Sequence, residues 1–283
     1  MKYSYFTNNG DSLDLEIVVK ALALKSLHFG LWKKGQQISV DQISKAQKYY
    51  TVKLIGMFPK KIKKVLDVGA GIGDNAIYLA KMGINVTCVS PSPSQLNYFE
   101  KYILPKYKNI KFIKSKYEDL VLDNTFDVVL MSESSNYFPV KEGLDQTVRY
   151  LKQGGHLIMG ALFRKDFRKS FEEMHVYKSY IEKVIERGFV LEKDIDVTKQ
   201  VVQTMELSHS IFQFIPPTVN VLVDFYKKSF SSKHWFISKV LSIFFKNEVK
   251  LAKDLLLEVG PRRTDPKPFL DYVTYRFLDF RKK

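Results

Sequence analysis

The chain has 283 residues, 45% of them hydrophobic and 14% aromatic, which is enough for one good core and a smaller appended unit. Its formal net charge is +15. That balance favours anionic partners (nucleic acid, a membrane surface, a phosphorylated or acidic substrate) or serves only as a soluble lysine-rich surface. The lone cysteine, Cys88, excludes an internal disulfide framework and a cysteine-built zinc site. No apolar run approaches the ~20 residues that span a bilayer. The closest, WFISKVLSIFF (235–245), is too short and contains Lys239. The start, MKYSYFTNNGDS, has no apolar signal core, so the expected location is cytoplasmic.

In chain order, LEIVVKALALKSL (15–27) predicts a helix within an N-terminal cap of residues 1–50. From residue 63 apolar runs alternate with helical patterns. KKVLDVG (63–69) reads as a buried strand and DNAIYLAKMG (74–83) as a helix ending at Gly83. INVTCVS (84–90) is a strand, followed by a helix over 92–104 with Ser92 and Pro93 at its start. IKFIKS (110–115) and FDVVLMS (126–132) are strands. VKEGLDQTVRYLKQGG (140–155) predicts a helix stopped by paired glycines, and HLIMGALF (156–163) a strand. An amphipathic helix follows over 171–188, then a strand over 188–198, a helical insertion over 200–265 and a closing strand, YVTYRFLDF (272–280). The insertion reads as a helix packed on the sheet or as a lid, and its aromatics, among them Phe212, Phe225, Trp235 and Phe236, suit a hydrophobic ligand or a core. The α/β unit thus covers 51–199 and 266–283. Such alternation builds a mostly parallel sheet with helices on both faces, and ligands of these sheets bind at the carboxyl ends of the strands.

The stretch VLDVGAGIGDN (65–75) carries the chemistry. Gly69, Gly71 and Gly73 follow a strand and open a helix, where glycine permits a sharp turn and close approach of a ligand. A dinucleotide fingerprint G-x-G-x-x-G would place its last glycine at Asp74 and an acid about 20 residues further on, where the chain has Val89 and Ser90. Asp67 and Asp74 would repel a pyrophosphate. They suit a ligand carrying an ammonium and a sulfonium.

This loop resembles the D/E-x-G-x-G-x-G signature of the class I S-adenosylmethionine-dependent methyltransferases. The chain is most similar to their small-molecule branch of tocopherol methyltransferase-like and natural-product O-methyltransferase-like enzymes, and more distantly to sterol methyltransferases and cyclopropane fatty-acid synthases. The resemblance implies a Rossmann-like sheet, S-adenosylmethionine as cofactor, Asp67 facing the methionine ammonium, and Gly69, Gly71 and Gly73 along the cofactor. LHFGLWKKGQQISVDQISKA (27–46) resembles the branch's N-terminal H-x-G-Y/L-W segment, which lies near the mouth of the site. CVSPSPSQL (88–96) resembles its T/S-x-S-x-x-Q loop, implying ribose contacts from Ser90 and Gln95. KSKYEDL (114–120) implies adenine contacts from Tyr117 and Glu118. FDVVLMSESSNYFPV (126–140) implies that Met131, Ser132 and Glu133 border the cofactor.

Where related sugar O-methyltransferases carry a histidine pair and a fifth-strand aspartate, this chain has Asn136, Tyr137 and Ala161. A base near neutrality helps to deprotonate a hydroxyl, and none is evident there. His28, Asn136 and Tyr137 remain the candidate catalytic residues, and Trp32, Asn136 and Tyr137 the substrate contacts. His28 reads more simply as an anchor of the N-terminal segment. Cys88 reads as a small buried hydrophobe, and His156 and His175, the latter on a helix, as structural. No local metal motif occurs. The expected function is methyl transfer to a small hydrophobic or amphipathic molecule. Lipid methylation at a membrane surface is the alternative, with residues 235–257 as an interfacial helix, and nucleic-acid methylation a lesser one.

Overall fold

The computed structural model of the chain describes residues 25–166, 171, 173–211, 213 and 265–283. In chain order these form α1 (Ile43–Ile55), β1 (Lys64–Val68), α2 (Asp74–Lys81), β2 (Asn85–Ser90), α3 (Pro93–Tyr102), β3 (Ile110–Lys114) and β4 (Phe126–Ser132). After them come α4 (Val140–Tyr150), β5 (Leu151–Arg164), α5 (Tyr177–Glu186), β6 (Phe189–Asp196), a helix α6 over 198–211, α7 (Pro266–Tyr272) and β7 (Val273–Lys282). The seven strands make one sheet in the order β3-β2-β1-β4-β5-β7-β6. The first five pair in parallel, and β7 enters antiparallel between β5 and β6.

Alternation along the strands sorts the core into two layers. Val65, Cys88, Val128, Leu130 and Ile158 pack with Tyr50 and Leu54 of α1, Leu79 of α2 and Phe99 of α3. Leu66, Val68, Val89, Val129 and Met131 pack on the other face with Leu144 and Tyr150 of α4 and Tyr180 and Val184 of α5. Asp67 lies between Val65 and the strand end, in register with Cys88 and Leu130, so its side chain enters the first layer. Cys88 is fully buried, and burial pushes its thiol well above the ordinary value.

Three expectations change in detail. The helix after β4 ends at Tyr150, not at the paired glycines, because Leu151 is buried and pairs with Phe126. Gly154 and Gly155 fall within β5, where the pairing shifts register between Phe126 and Val128. The helix expected from residue 171 begins at Tyr177, because Val176 is held in an isolated bridge to Arg164. His175 therefore sits in the turn before α5 and not on a helix. In the cap, α1 runs through position 50, since Tyr50 and Leu54 carry its apolar face into the core. Residues 25–27, the described end of the helix expected over 15–27, are not helical; the part of that helix before Lys25 and the insertion beyond α6, apart from Gln213 and Asp265, lie outside the described residues, as do Phe212, Phe225, Trp235 and Phe236.

Candidate active site

The carboxyl end of β1 is the centre of the site. Asp67 is 1% exposed, and neither carboxylate oxygen has a hydrogen-bond partner among the described residues. Burial, aided by the charge of Asp74 and opposed by His28, pushes its pKa up to about 8. The chain then turns through Gly69, Gly71 and Gly73, all with positive φ of 73°, 56° and 81°. The three are not equivalent. A Cβ on Gly69 would lie 2.5 Å from Ser134 Cβ, and one on Gly73 2.6 Å from Ile103 Cδ1 and 2.8 Å from Phe99 Cζ. A Cβ on Gly71 would meet only Leu27, at an ordinary 3.4 Å. Gly69 and Gly73 are thus fixed by the fold, whereas Gly71 has no such crowding.

A strap over 25–36 crosses this bend. Leu27 lies against Gly71. His28 Nδ1 is 2.7 Å from the Phe29 carbonyl oxygen and Nε2 is 2.8 Å from Asp74 Oδ2, in the first turn of α2. Both ring nitrogens donate, which requires the imidazolium. Burial alone would lower the His28 pKa, but the Asp74 charge and hydrogen bond outweigh it and raise the value. Burial likewise opposes the Asp74 carboxylate, and His28 overcomes it, so the Asp74 pKa is lowered. Gln47 Nε2 donates to the carbonyl oxygens of Ser26 and His28, and Trp32 Nε1 donates to Thr204 Oγ1 on α6 at 2.8 Å.

Behind the strap lies a chain of hydroxyls. Ser132 Oγ is 3.1 Å from Tyr50 Oη, which is 2.8 Å from Tyr275 Oη, which is 2.7 Å from Glu133 Oε1. Tyr275 has one proton; with Glu133 ionised it donates to the carboxylate and accepts from Tyr50. Glu133 also accepts from the Phe29 amide at 2.8 Å. It occupies the left-handed region (φ 60°), and burial raises its pKa despite His28. His28 stacks on Tyr50 with ring centroids 4.1 Å apart.

The residues singled out from the sequence divide in two. Around the bend lie Asp67, the three glycines, His28, Ser132 and Glu133. Ser90 is buried and its Oγ accepts from the Ser92 amide, while Gln95, in the first turn of α3, keeps a buried Oε1 without a partner among the described residues. Glu118 is half-buried, and its backbone carbonyl accepts from Gln146. The others are committed elsewhere. Tyr117 and Met131 belong to the second core layer, with the Tyr117 hydroxyl on Thr147 and its ring on Phe138. Asn136 spends its amide on the backbone: Nδ2 donates to Leu162 O and Oδ1 accepts from His175 N. Trp32 is fully buried against α6, and Tyr137 is 59% exposed. Sequence reasoning missed Tyr50, Tyr275, Asn75 and Ser134. Asn75 Oδ1 and Ser134 Oγ join Asp67 and Gln95 as buried polar atoms without partners among the described residues. The unmet polar atoms of Asp67, Asn75 and Ser134, beside the glycine bend, fit a polar, cationic ligand. The signal for Asn75 was adjacent to the glycine motif; Tyr50 and Tyr275 had none.

Away from the bend, His156, Glu192 and Asp279 bring one ligand atom each within 4.8 Å of one another. Lys193 Nζ lies 3.6 Å from Asp279 and Arg281 Nε 2.5 Å from Glu192, so these carboxylates already face cations.

Residues 66–159 match the family model described as a methyltransferase domain. That span runs from the end of β1 through the glycine bend to β5. This third of the chain is similar to a methyltransferase domain. The ubiquinone/menaquinone biosynthesis C-methyltransferase UbiE of Zymomonas mobilis is 28% identical over 160 residues, 55% of this chain and 65% of that relative. The chain therefore spans just under two thirds of that relative's length. Among solved structures, the [4+2]-cyclase SpnF is similar with a TM-score of 0.69 at 17% identity, over 96% of this chain and 94% of that one. The geranyl diphosphate C-methyltransferase of Streptomyces coelicolor A3(2), solved with Mg2+, geranyl-S-thiolodiphosphate and S-adenosyl-L-homocysteine, is similar with a TM-score of 0.66 at 14% identity, over 98% and 94%. Identities this low establish the fold, and a cyclase among these structures shows that the fold does not dictate the reaction.

Proposed function

We propose that this chain is an S-adenosylmethionine-dependent methyltransferase acting on a small, hydrophobic or amphipathic acceptor. The observation that carries the proposal is Asp67: a carboxylate buried without a partner among the described residues, beside a glycine bend whose middle residue, Gly71, has only the side chain of Leu27 against it. The cofactor supplies an electrophilic methyl group on a sulfonium, which leaves as a neutral thioether. Asp67 holds the ammonium of its amino-acid tail, and that charge offsets the cost of ionising the buried acid. Gly69 and Gly73 shape the bend, and Gly71, the uncrowded one of the three, lets the tail approach the backbone. Ser90 and Gln95 take the ribose hydroxyls, a role supported by the unmet Gln95 Oε1. Glu118 accepts from the adenine amino group. Tyr117 acts as packing beneath that site.

An acceptor that carries a proton would have to lose it when methylated. The chain Ser132–Tyr50–Tyr275–Glu133 offers a route to a carboxylate whose burial raises its proton affinity. Tyr137, exposed after β4, is the acceptor contact at the rim. Most of the rate enhancement comes from holding nucleophile, methyl and sulfur in line, an effect worth on the order of 7–11 kcal/mol in favourable cases. The test is titration calorimetry with S-adenosylmethionine on the wild type and on Asp67→Ala and Gly71→Val. Wild-type binding that both variants lose supports the proposal. Unchanged affinity in both contradicts it.

A further inference from the structure

α1 has two working faces. Its inner face, with Gln47 and Tyr50, roofs the site and holds the strap. Its outer face, with Gln42, Lys45, Lys48, Tyr49 and Val52 at helical spacing, forms one wall of an open groove of about 570 Å³. The strap turn Lys33–Gln36 forms the other wall. Residues 33–53 hold five lysines (33, 34, 45, 48 and 53) against one acid, Asp41, and all five lysines are exposed. Three branched apolar side chains stand exposed among them: Ile38 at 39%, Val40 at 46% and Val52 at 38%.

We propose that this lysine-rich face, with its exposed Ile38, Val40 and Val52, docks the protein on an anionic membrane surface. It is a different place from the 235–257 segment that the sequence suggested, and it does not depend on how the glycine bend is read. Charge complementarity carries the first half of the argument: clustered lysines are attracted to an anionic leaflet, and the attraction falls off within a Debye length, ~8 Å at physiological salt. The apolar side chains carry the second half. Phosphates alone give no reason to expose Ile38, Val40 and Val52 between cations, whereas a headgroup–acyl boundary accepts both. A single-stranded nucleic acid fits less well. The aromatic ring of the groove, Tyr49, already holds Lys33 and Lys53, whose Nζ atoms lie 4.7 and 5.3 Å from its centroid, and a stacking base would compete with them. Because the strap and α1 belong to both the groove and the bend, a docked molecule turns the strap side toward the bilayer.

The experiment is flotation of the full chain with phosphatidylcholine vesicles containing about 30 mol % phosphatidylserine, and with neutral phosphatidylcholine vesicles. Each lysine near such a surface is worth about fivefold in partitioning. The triple variant Lys33→Glu/Lys45→Glu/Lys48→Glu should therefore lose more than about 100-fold. A control of equal charge change on exposed positions near and along the sheet edge, Lys108→Glu/Lys111→Glu/Lys114→Glu, should lose far less. Val40→Ser/Val52→Ser should weaken the fraction of binding that survives high salt. Circular dichroism and thermal melts establish that each variant is folded. Wild-type binding to anionic but not neutral vesicles, lost selectively in the groove triple, supports the proposal. Absence of wild-type flotation overturns it. So does equal loss in both triples, or binding to a short RNA that the groove triple abolishes while vesicles are ignored.

Discussion

A carboxyl group with no partner costs the empty protein stability whenever it ionises. Asp67 in the folded chain keeps its proton up to about pH 8, while in the unfolded chain it ionises near the ordinary value of 3.8. Between these values the folded state binds more protons, so its stability falls as pH rises across that window and the loss is complete above about 8. Asp67→Asn removes the dependence. The ligand-free variant should melt at least about 2 °C higher than the wild type at pH 8.5, with the gap closing toward pH 5, as read by calorimetry. The glycines give a second contrast. Gly71→Ala should fold with a cost of about 1–2 kcal/mol, from the left-handed backbone alone. Gly73→Ala should cost more, because its Cβ meets Phe99 and Ile103 in the core. Chemical denaturation separates the two, and cofactor affinity should fall in Gly71→Ala despite its intact fold.

At the scale of elements, the strap is the part that joins fold and site. Its ion pair is buried, and removing one partner of such a pair costs about 3 kcal/mol. The His28 pKa is raised above 6.5, so the pair's contribution is complete below 6.5 and is lost as pH rises through the folded value. His28→Ala should therefore destabilise the chain more at pH 6 than at pH 9, as measured by urea unfolding. A pH-independent effect would show that the histidine contributes packing only. The strands were legible because buried apolar runs and glycine turns mark them locally, and the acid before the glycines was legible by spacing. Helix ends were less so: Leu151 leaves the helix because Phe126 awaits it across the sheet, a partner no local pattern reveals. The same reason hid Tyr50 and Tyr275, which lie 225 positions apart and meet only in the folded chain. It also misdirected Asn136, whose amide looked available for chemistry and instead closes two backbone gaps.

For the molecule as a whole, ligand binding and stability are coupled. A ligand at 100 times its Kd adds about 2.7 kcal/mol, which corresponds to a melting shift of roughly 5–10 °C in a chain of this size. S-adenosylhomocysteine should produce that shift and should also slow tryptic cleavage at Lys33–Lys34, because the strap that carries them lies across the bend. A thermal shift without protection of the strap would place the ligand elsewhere. Among the described residues no helix is long and apolar enough to cross a membrane.

The most direct measurement compares two ligands in two proteins. S-adenosylhomocysteine carries the amino-acid tail, and 5′-methylthioadenosine has the same nucleoside without it. Charged hydrogen bonds of this kind contribute about 1.5–3 kcal/mol. Calorimetry should show Asp67→Asn weakening S-adenosylhomocysteine by about 10- to 100-fold while leaving methylthioadenosine unchanged. Equal affinity changes for the two ligands, or none for either, would contradict the assignment of Asp67 to the ammonium.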